Sequence, residues 1–240
     1  MKECAAVGSR GVGPGRRLIL ASASPRRHEL FERLGVPFEI IEPQGVDESA
    51  ARGSAPEIAR FLALKKAEHV VQGLLGRPSP GAAPGWVVLG ADTVVAFGEG
   101  ARETALGKPR DQEDARRMLR LLSGRTHQVW TGIAVAQPGI PTLVGEERSD
   151  VTFRHLPEDL IEEYLRSAEP MGKAGAYAIQ GRGEALVESF MGCFYNIVGL
   201  PLVLVARLLG DRVLGDWYVV PKCDCGRHRL QRGRPGCGQP

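Results

Sequence analysis

The chain has 240 residues, of which 43% are hydrophobic and 25% charged, so it can form one sizeable α/β domain and is not disordered as a whole. The formal net charge of +3 arises at the two ends, where lysine and arginine cluster, and the sequence between them is mildly acidic. An acidic body lacks the basic footprint of a protein that binds duplex nucleic acid.

Cysteine usage and hydropathy indicate the cellular setting. Only one of the five cysteines, Cys193, lies in the body of the chain, so we expect no disulfide framework. No stretch approaches the roughly 20 apolar residues that span a bilayer, and the first residues lack the apolar core of a signal peptide. The sequence therefore predicts a soluble, cytoplasmic protein that has no membrane partner. It offers no strong evidence for a nucleic-acid partner.

The first predicted elements are a strand, a helix and a second strand. Residues 17–21 form a short apolar run that is typical of a strand. Ser24 and Pro25 suit the N-cap and first turn of a helix that ends near Leu34, and residues 38–41 again resemble a strand.

A long helix and a long apolar run follow. Pro56 opens an alanine- and lysine-rich helix that extends to about Val71, and a proline- and glycine-rich loop comes after it. Residues 86–97 have a β-type composition, and the polar residues at 90–93 are expected to break this run in its middle.

The second half of the chain alternates in the same way. Its predicted elements are a helix capped by Asp111 and ending near Leu122, strands at 126–135 and 143–154, a helix from Pro157 to Leu165, a glycine-rich ordered loop at 172–183, short extended pieces at 186–188 and 195–198, and a helix at 200–209. Alternating helices and strands indicate an α/β fold, and the two consecutive strands favour a mixed sheet. We divide the chain into a flexible extension at 1–16, one domain at 17–210 and a basic, cysteine-containing flexible tail at 211–240.

Two polar motifs carry most of the functional signal. Ser22-Ala23-Ser24-Pro25-Arg26-Arg27 lies between a strand and a helix start, where free backbone N–H groups and arginine side chains suit a phosphate. The alternative is an ordinary capped helix with solvated arginines. Gly90-Ala91-Asp92-Thr93 places a carboxylate in an apolar run, where it needs a partner, a metal or a catalytic task, unless Asp92 merely turns the chain.

Further polar residues have weaker signals. Asp47-Glu48 lies in a loop and could join Asp92 around a hard divalent cation such as Mg²⁺. The lysines at 65, 66, 108 and 173 are either functional cations or ordinary surface residues. Gln180 could read a base edge or satisfy backbone groups. The cysteines of the tail, Cys223, Cys225 and Cys237, match no zinc module, so the tail either binds a metal or nucleic acid or is a disordered end.

Taken in order, these motifs resemble the Maf nucleotide pyrophosphatases over about residues 17–209. The blocks are Ser-x-Ser-Pro-Arg-Arg, Gly-Ala-Asp-Thr, Lys-Pro, Ser-Gly-Arg-x-His and Glu-Pro-x-x-Lys-Ala-Gly-x-Tyr-x-Ile-Gln-Gly. The resemblance implies a three-layer α/β/α sandwich with a mixed, curved sheet and a deep cleft between two lobes, often in a homodimer. It also implies hydrolysis between the α- and β-phosphates of a nucleoside triphosphate with Mg²⁺, Mn²⁺ or Co²⁺, and a link to septum formation.

The resemblance also assigns site residues by their place in the motifs. It implies that Asp92 is the catalytic proton acceptor and that Glu48 and Asp92 hold the metal. It implies substrate binding by Ser22, Arg26, Arg27, Lys66, Thr93, Lys108, Lys173 and Gln180.

Three of these positions resemble one branch of the family. Arg26, Thr93 and Gln180 match the branch that acts on dTTP and UTP, whereas the branch that acts on 7-methyl-GTP has an aromatic residue, Gln and Glu there. Many relatives have aspartate where this chain has Gly172, beside Lys173. The alternatives are therefore a 7-methyl-GTP pyrophosphatase and a nucleotide-binding regulator of septum formation with little turnover.

Overall fold

The computed structural model describes residues 17–75, 85–98 and 103–210, and the backbone of 228–229. The helices are α1 (Pro25–Glu32), α2 (Ala55–Leu75), α3 (Gln112–Leu122), α4 (Glu158–Arg166), α5 (Phe194–Val198) and α6 (Leu202–Leu209). The strands are β1 (Arg17–Ala21), β2 (Glu39–Ile40), β3 (Trp86–Phe97), β4 (Thr104–Leu106), β5 (Thr126–Gln137), β6 (Ile140–Phe153), β7 (Val187–Gly192) and β8 (His228–Arg229). The extension at 1–16, most of the loop at 76–85 and the tail cysteines lie outside the described residues.

The strands form one mixed sheet. Their order is β2-β1-β3-β5-β6-β7-β8, and β4 pairs with the end of β3. β1 runs parallel to β2 and β3, and the other pairs are antiparallel, including the long β5–β6 hairpin. The prediction of a mixed rather than a purely parallel sheet is confirmed.

The sheet is covered on both faces. Along β1, Leu18 and Leu20 enter the main core, whereas Ile19 and Ala21 pack against α2 on the opposite face. This alternation is the period of two that a strand imposes on its side chains. Helix α2 therefore forms one outer layer, and the other helices cover the main core. The predicted three-layer α/β/α arrangement is confirmed.

Several local predictions are confirmed as well. Pro25 stands in the first turn of α1, and Leu34 is buried beyond its end. The Asp111 carboxylate accepts a hydrogen bond from the Asp114 N–H at 2.8 Å and so caps α3. No helix in the described part of the chain is long and apolar enough to cross a membrane.

Three predictions about elements are wrong. β3 is continuous through residues 90–93, each of which pairs with β5. Helix α2 extends to Leu75 rather than to about Val71. Residues 195–198 belong to α5 and are not extended, because packing of Ile197 and Val198 into the core overrides their local preference for extended structure.

Helix α2 approaches the sheet at two glycines. A Cβ on Gly90 would lie 2.2 Å from the carbonyl oxygen of Ala63, and one on Gly132 would lie 2.3 Å from that of Ala59. No side chain fits in these positions, so backbone packs directly on backbone. This close contact sets the distance between α2 and β3, and therefore the distance between the side chains that they carry.

Replacement of Gly90 by alanine should therefore push α2 away from the sheet. We expect Gly90→Ala to destabilise the fold by about 3 kcal/mol, at the upper end of the cost of overpacking a core. Gly73→Ala is the matched control, because a Cβ at Gly73 on α2 meets no atom within 4 Å. Urea unfolding measures both variants, and equal stabilities would refute the close-packing argument.

A buried histidine lies in the main core. His127 is 1% exposed, and its ring packs edge-on against Phe153 and Tyr177 at 4.9 Å and 5.3 Å between centroids. Its Nε2 is hydrogen-bonded to the Tyr177 hydroxyl at 2.8 Å, whereas Nδ1 has no partner among the described residues. Burial lowers the pKa of His127 to about 3 from the ordinary 6.5, so the folded protein keeps this ring neutral.

This histidine should make folding depend on pH. The unfolded chain takes up a proton as the pH falls through 6.5, whereas the folded chain does so only near pH 3, so stability falls with pH across that window. The contribution is at most about 1.4 kcal/mol per pH unit. His127→Gln cannot titrate and should unfold with a smaller difference in free energy between pH 6.5 and 5. Replacement of the exposed His155 by Gln should leave the full difference, and identical profiles for the two variants would contradict the assignment.

Candidate active site

One edge of β3 has a gap in its pairing. β1 pairs with β3 as far as Gly90, and β4 pairs with it only from Val95 onward, while β5 occupies the opposite edge throughout. Within the described part of the chain, no strand therefore lies beside residues 91–94 on the β1 side. Because side chains alternate along a strand, Asp92 faces α2 and Thr93 faces the main core, and both border the gap.

A cleft of about 540 Å³ opens at this gap, a volume typical of a small-molecule site. It is lined by Ser22, Arg26, Arg27, Glu48, Lys66, Asp92, Thr93, Lys108, Gly172 and Lys173, among others. Five of its lining side chains are cationic (Arg26, Arg27, Lys66, Lys108 and Lys173) and three are carboxylates (Glu42, Glu48 and Asp92). The cationic excess favours an anionic ligand.

The acidic part of the site is a connected set of ion pairs. Lys66 of α2 donates to Asp92 Oδ1, and the same ammonium lies 2.8 Å from Glu48 Oε1. Lys108 lies 3.1 Å from both oxygens of Glu48. Lys66 is 8% exposed and Asp92 6%, so each stabilises a charge that would be costly to bury alone.

A short turn presents Glu48 to this set. Asp47 precedes a 3₁₀ turn at Glu48–Ala50, and its carboxylate accepts from the Ser49 N–H at 2.9 Å and the Ser49 hydroxyl at 2.6 Å. Asp47 is thus used as a cap, and only Glu48 of the pair reaches the cleft. Burial alone would raise the pKa of Glu48, but Lys66 and Lys108 outweigh it and hold that pKa below its ordinary value.

The arginine motif lies on the other side of the gap. Ser22 is buried, and its hydroxyl accepts from the Ser24 N–H at 3.1 Å. Ser24 occupies the N-cap position of α1, but its side chain makes no capping hydrogen bond. Arg27 donates from Nε to the Gly199 carbonyl at 2.8 Å and from Nη2 to the Thr93 hydroxyl at 3.0 Å.

Two further cations lack a carboxylate partner in the described residues. Burial lowers the pKa of Arg26, and the nearby Glu169 only partly offsets it. Burial, and then the charge of Arg26, lower the pKa of Lys173, which donates to the Glu169 backbone carbonyl. Both groups would gain from a bound anion, because it would relieve their desolvation and mutual repulsion.

The structure brings together nine of the ten predicted site residues. The exception is Gln180, which is exposed and does not line the cleft. Sequence reasoning missed the apolar wall formed by Val95, Val129, Tyr177, Ile197 and Val198. Its only sequence signal is Tyr177 within the Lys-Ala-Gly-x-Tyr block, because the other four residues are indistinguishable from core.

Loss of the Lys66–Asp92 ion pair should lower the free energy of unfolding. Lys66→Met leaves Asp92 without its partner, and we expect a loss of about 3 kcal/mol, the lower end of the range for breaking a buried ion pair, because the pair borders an open cleft. Lys66→Met combined with Asp92→Asn should recover more than half of this loss.

The neighbouring lysine provides the control. Lys65 is paired with Glu68 at 2.9 Å, and both side chains are nearly half exposed, so Lys65→Met should cost less than about 0.5 kcal/mol. Chemical denaturation at neutral pH measures all four proteins. If both lysine variants unfold alike, Lys66 is not holding a buried charge.

Comparison with known proteins gives two consistent results. The model of the family described as Maf-like protein matches residues 17–212. A protein from Moorella thermoacetica named dTTP/UTP pyrophosphatase is 52% identical over 204 residues, which cover 84% of this chain and 97% of that protein. One from Bacillus thuringiensis subsp. konkukian with the same name is 42% identical over 194 residues, covering 81% and 94%.

A solved structure is more distant. The nucleoside-triphosphatase / dITP/XTP pyrophosphatase from Mycobacterium abscessus is 16% identical and superposes with a TM-score of 0.39 over 71% of this chain and 82% of its own. The likeness is too weak to bear on the function of this chain.

Proposed function

Because this chain belongs to the Maf family, we propose that it is a pyrophosphatase that hydrolyses dTTP and UTP to the monophosphate and pyrophosphate. Support comes from the two relatives with this name, which match almost over their full lengths. The observation that carries the proposal is the cleft itself, where Asp92 lies beside a surplus of cations that can bind a triphosphate.

The donor set of the acidic cluster fits a divalent cation. Glu48 and Asp92 both contact the Lys66 ammonium, so their oxygens converge on one small region. Mg²⁺, and similarly Mn²⁺ or Co²⁺, is often held by one or two carboxylates, with water and phosphate oxygens completing its shell. The described residues contain no group of three or more acidic, histidine or cysteine side chains for a metal, so Glu48 and Asp92 would hold it with the substrate's help. Once bound, the ion would polarise the α-phosphate.

The protein's own groups then have separate tasks in the proposed reaction. Water attacks the α-phosphorus, the bond from that phosphorus to the bridging oxygen breaks, and pyrophosphate leaves. Asp92 orients the water and accepts its proton. Lys66, Lys108 and Lys173 neutralise the charge that develops on the leaving pyrophosphate, and Arg26 and Arg27 bind the phosphates from the side of α1.

Substrate preference is the finer part of the proposal. Arg26 and Thr93 line the cleft, and the apolar wall beside them offers a surface for a nucleobase. Gln180 is exposed outside the cleft, so a role in reading the base requires the loop after Tyr177 to close over the nucleotide. We also propose that the enzyme is cytoplasmic and homodimeric and keeps unwanted nucleotides out of nucleic acids, with a link to septum formation.

Gly172 is compatible with turnover. It has a φ of +73°, and a Cβ there would meet no atom within 4 Å. Aspartate, which many relatives have at this position, would therefore have room, and it tolerates this backbone conformation better than most residues. No contact in the described structure favours a regulator without turnover.

The test is pyrophosphate release from dTTP, UTP, CTP, 5-methyl-UTP and 7-methyl-GTP with Mg²⁺, Mn²⁺ or Co²⁺. We expect release from dTTP and UTP, and a fall of about 10²-fold or more in turnover for Asp92→Asn, the range for loss of acid–base assistance. Asp150→Asn is the control, because Asp150 pairs with Arg148 at 2.9 Å away from the cleft and should leave turnover unchanged.

Other outcomes would change the proposal. Preference for 7-methyl-GTP would move the chain to the other branch of the family. Binding of dTTP without turnover of any nucleotide would indicate the regulator, and Gly172→Asp would then be the first variant to test for restored activity. Near-normal turnover by folded Asp92→Asn would remove Asp92 from the catalytic role.

A further inference from the structure

A row of hydrogen bonds connects Arg27 to the interior of the protein. Arg27 Nη2 donates to Thr93 Oγ1 at 3.0 Å, Thr93 Oγ1 lies 2.9 Å from Thr131 Oγ1, and Thr131 Oγ1 donates to the Asn196 carbonyl at 3.0 Å. Thr131 and Asn196 are both fully buried. The row thus begins at a cation of the cleft and ends at a backbone group that no solvent reaches.

Counting protons fixes the direction of the middle bond. A threonine hydroxyl has one proton to donate. Thr131 gives its proton to the Asn196 carbonyl, since a carbonyl can only accept, so Thr131 must accept from Thr93. Thr93 therefore donates its own proton to Thr131 and accepts a hydrogen bond from Arg27. Every bond in the row points from the cleft inward, and the Thr93 hydroxyl has no proton left for a ligand.

The inner end of the row is firmly held. At the end of α5 the Leu200 N–H bonds to the Tyr195 carbonyl, which leaves the Asn196 carbonyl free to accept from Thr131. The Asn196 side chain donates to the Val129 carbonyl at 3.0 Å and to the Ser149 hydroxyl at 2.9 Å. These bonds tie α5 to β5 and β6.

The same helix end provides a second support for Arg27. The Gly199 carbonyl accepts from Arg27 Nε at 2.8 Å. Gly199 has a φ of +119°, and a Cβ there would lie 3.2 Å from Thr93 Oγ1 and 3.5 Å from Arg27 Nε, so glycine allows the tight junction. Nε and Nη2 of the guanidinium are thereby held, and Nη1 has no hydrogen-bond partner among the described residues.

We propose that Thr131 and Asn196 are positioning residues that fix Arg27 for the triphosphate, and that Thr93 transmits this effect rather than donating a hydrogen bond to the nucleotide. This inference deepens the proposed function and rests on it. It gives Thr93 a role in triphosphate binding that does not require contact with the nucleotide. A residue at position 93 without the hydroxyl would remove one of the two acceptors that hold the Arg27 guanidinium.

Thr131→Val tests the proposal, because it is nearly isosteric, lies outside the cleft and removes both bonds of the Thr131 hydroxyl. We expect kcat/KM for dTTP to fall about 10-fold, comparable with the loss of a hydrogen bond to a charged group. Thr131→Ser keeps the hydroxyl and should stay within about 2-fold of the unmodified protein. Thr126→Val is the matched control. Thr126 lies on β5 like Thr131, and its hydroxyl is hydrogen-bonded to the Thr152 hydroxyl of β6 at 2.9 Å, but at an exposed site.

A double-mutant cycle separates positioning from general damage. If Thr131 acts through Arg27, adding Thr131→Val to Arg27→Lys should lower kcat/KM by less than about 2-fold further. If Thr131 only supports the fold, its 10-fold effect should multiply with that of Arg27→Lys, and this result would overturn the proposal. Activity of Thr131→Val equal to that of the unmodified protein would also overturn it.

A binding measurement tests the positioning role of Thr131 independently of turnover. The dissociation constant of the non-hydrolysable 2′-deoxyuridine 5′-α,β-imidotriphosphate, measured by calorimetry, should rise several-fold in Thr131→Val and show the same dependence on Arg27. If the unmodified protein hydrolyses no nucleotide, the proposed function fails, and this binding cycle still decides the positioning role. An unchanged dissociation constant in Thr131→Val, with or without turnover, rejects it.

Discussion

The contact between the backbone of α2 and the sheet determines the rest of the site. Gly90 and Gly132 let the helix lie where any Cβ would collide with its carbonyl groups. At this distance Lys66, which projects from the middle of α2, meets Asp92, two residues after Gly90 on β3. A longer separation would leave Asp92 buried without its partner, a state that costs several kcal/mol. The glycines thus fix a helix position that the ion pair needs.

The gap beside β3 gives that ion pair access to a ligand. A central strand normally has both edges paired and its side chains enclosed, but none of the described strands pairs with residues 91–94 between β1 and β4. One strand therefore presents Asp92 to the acidic, metal-compatible side of the cleft and Thr93 to the arginine side. The period of two that usually separates core from surface here separates two halves of one active site.

The two halves are stabilised in different ways. On the α2 side, opposite charges neutralise one another. Glu48 and Asp92 both pair with Lys66, and Lys108 also pairs with Glu48. On the α1 side, Arg27 is held by neutral acceptors, a hydroxyl and a carbonyl, so its positive charge is not cancelled locally. Arg26 and Lys173 lie in the same electrostatic condition, since burial lowers the pKa of both. A bound polyanion would supply the negative charge that this half lacks.

The α/β class, the mixed sheet, the start of α1 at Pro25, the cap of α3 and the motifs that meet in the cleft could all be predicted from the sequence, because each has a signal within a few neighbouring residues. The predicted break in β3 at residues 90–93 is wrong, because the polar side chains there pair with α2 and hydrogen-bond to Thr131, which are remote in sequence. The helical conformation of residues 195–198, the apolar wall and the exposed position of Gln180 were decided only by tertiary structure. The same holds for Thr131 and Asn196, which have no motif, because a buried hydrogen bond depends on which distant groups the packing brings within 3 Å.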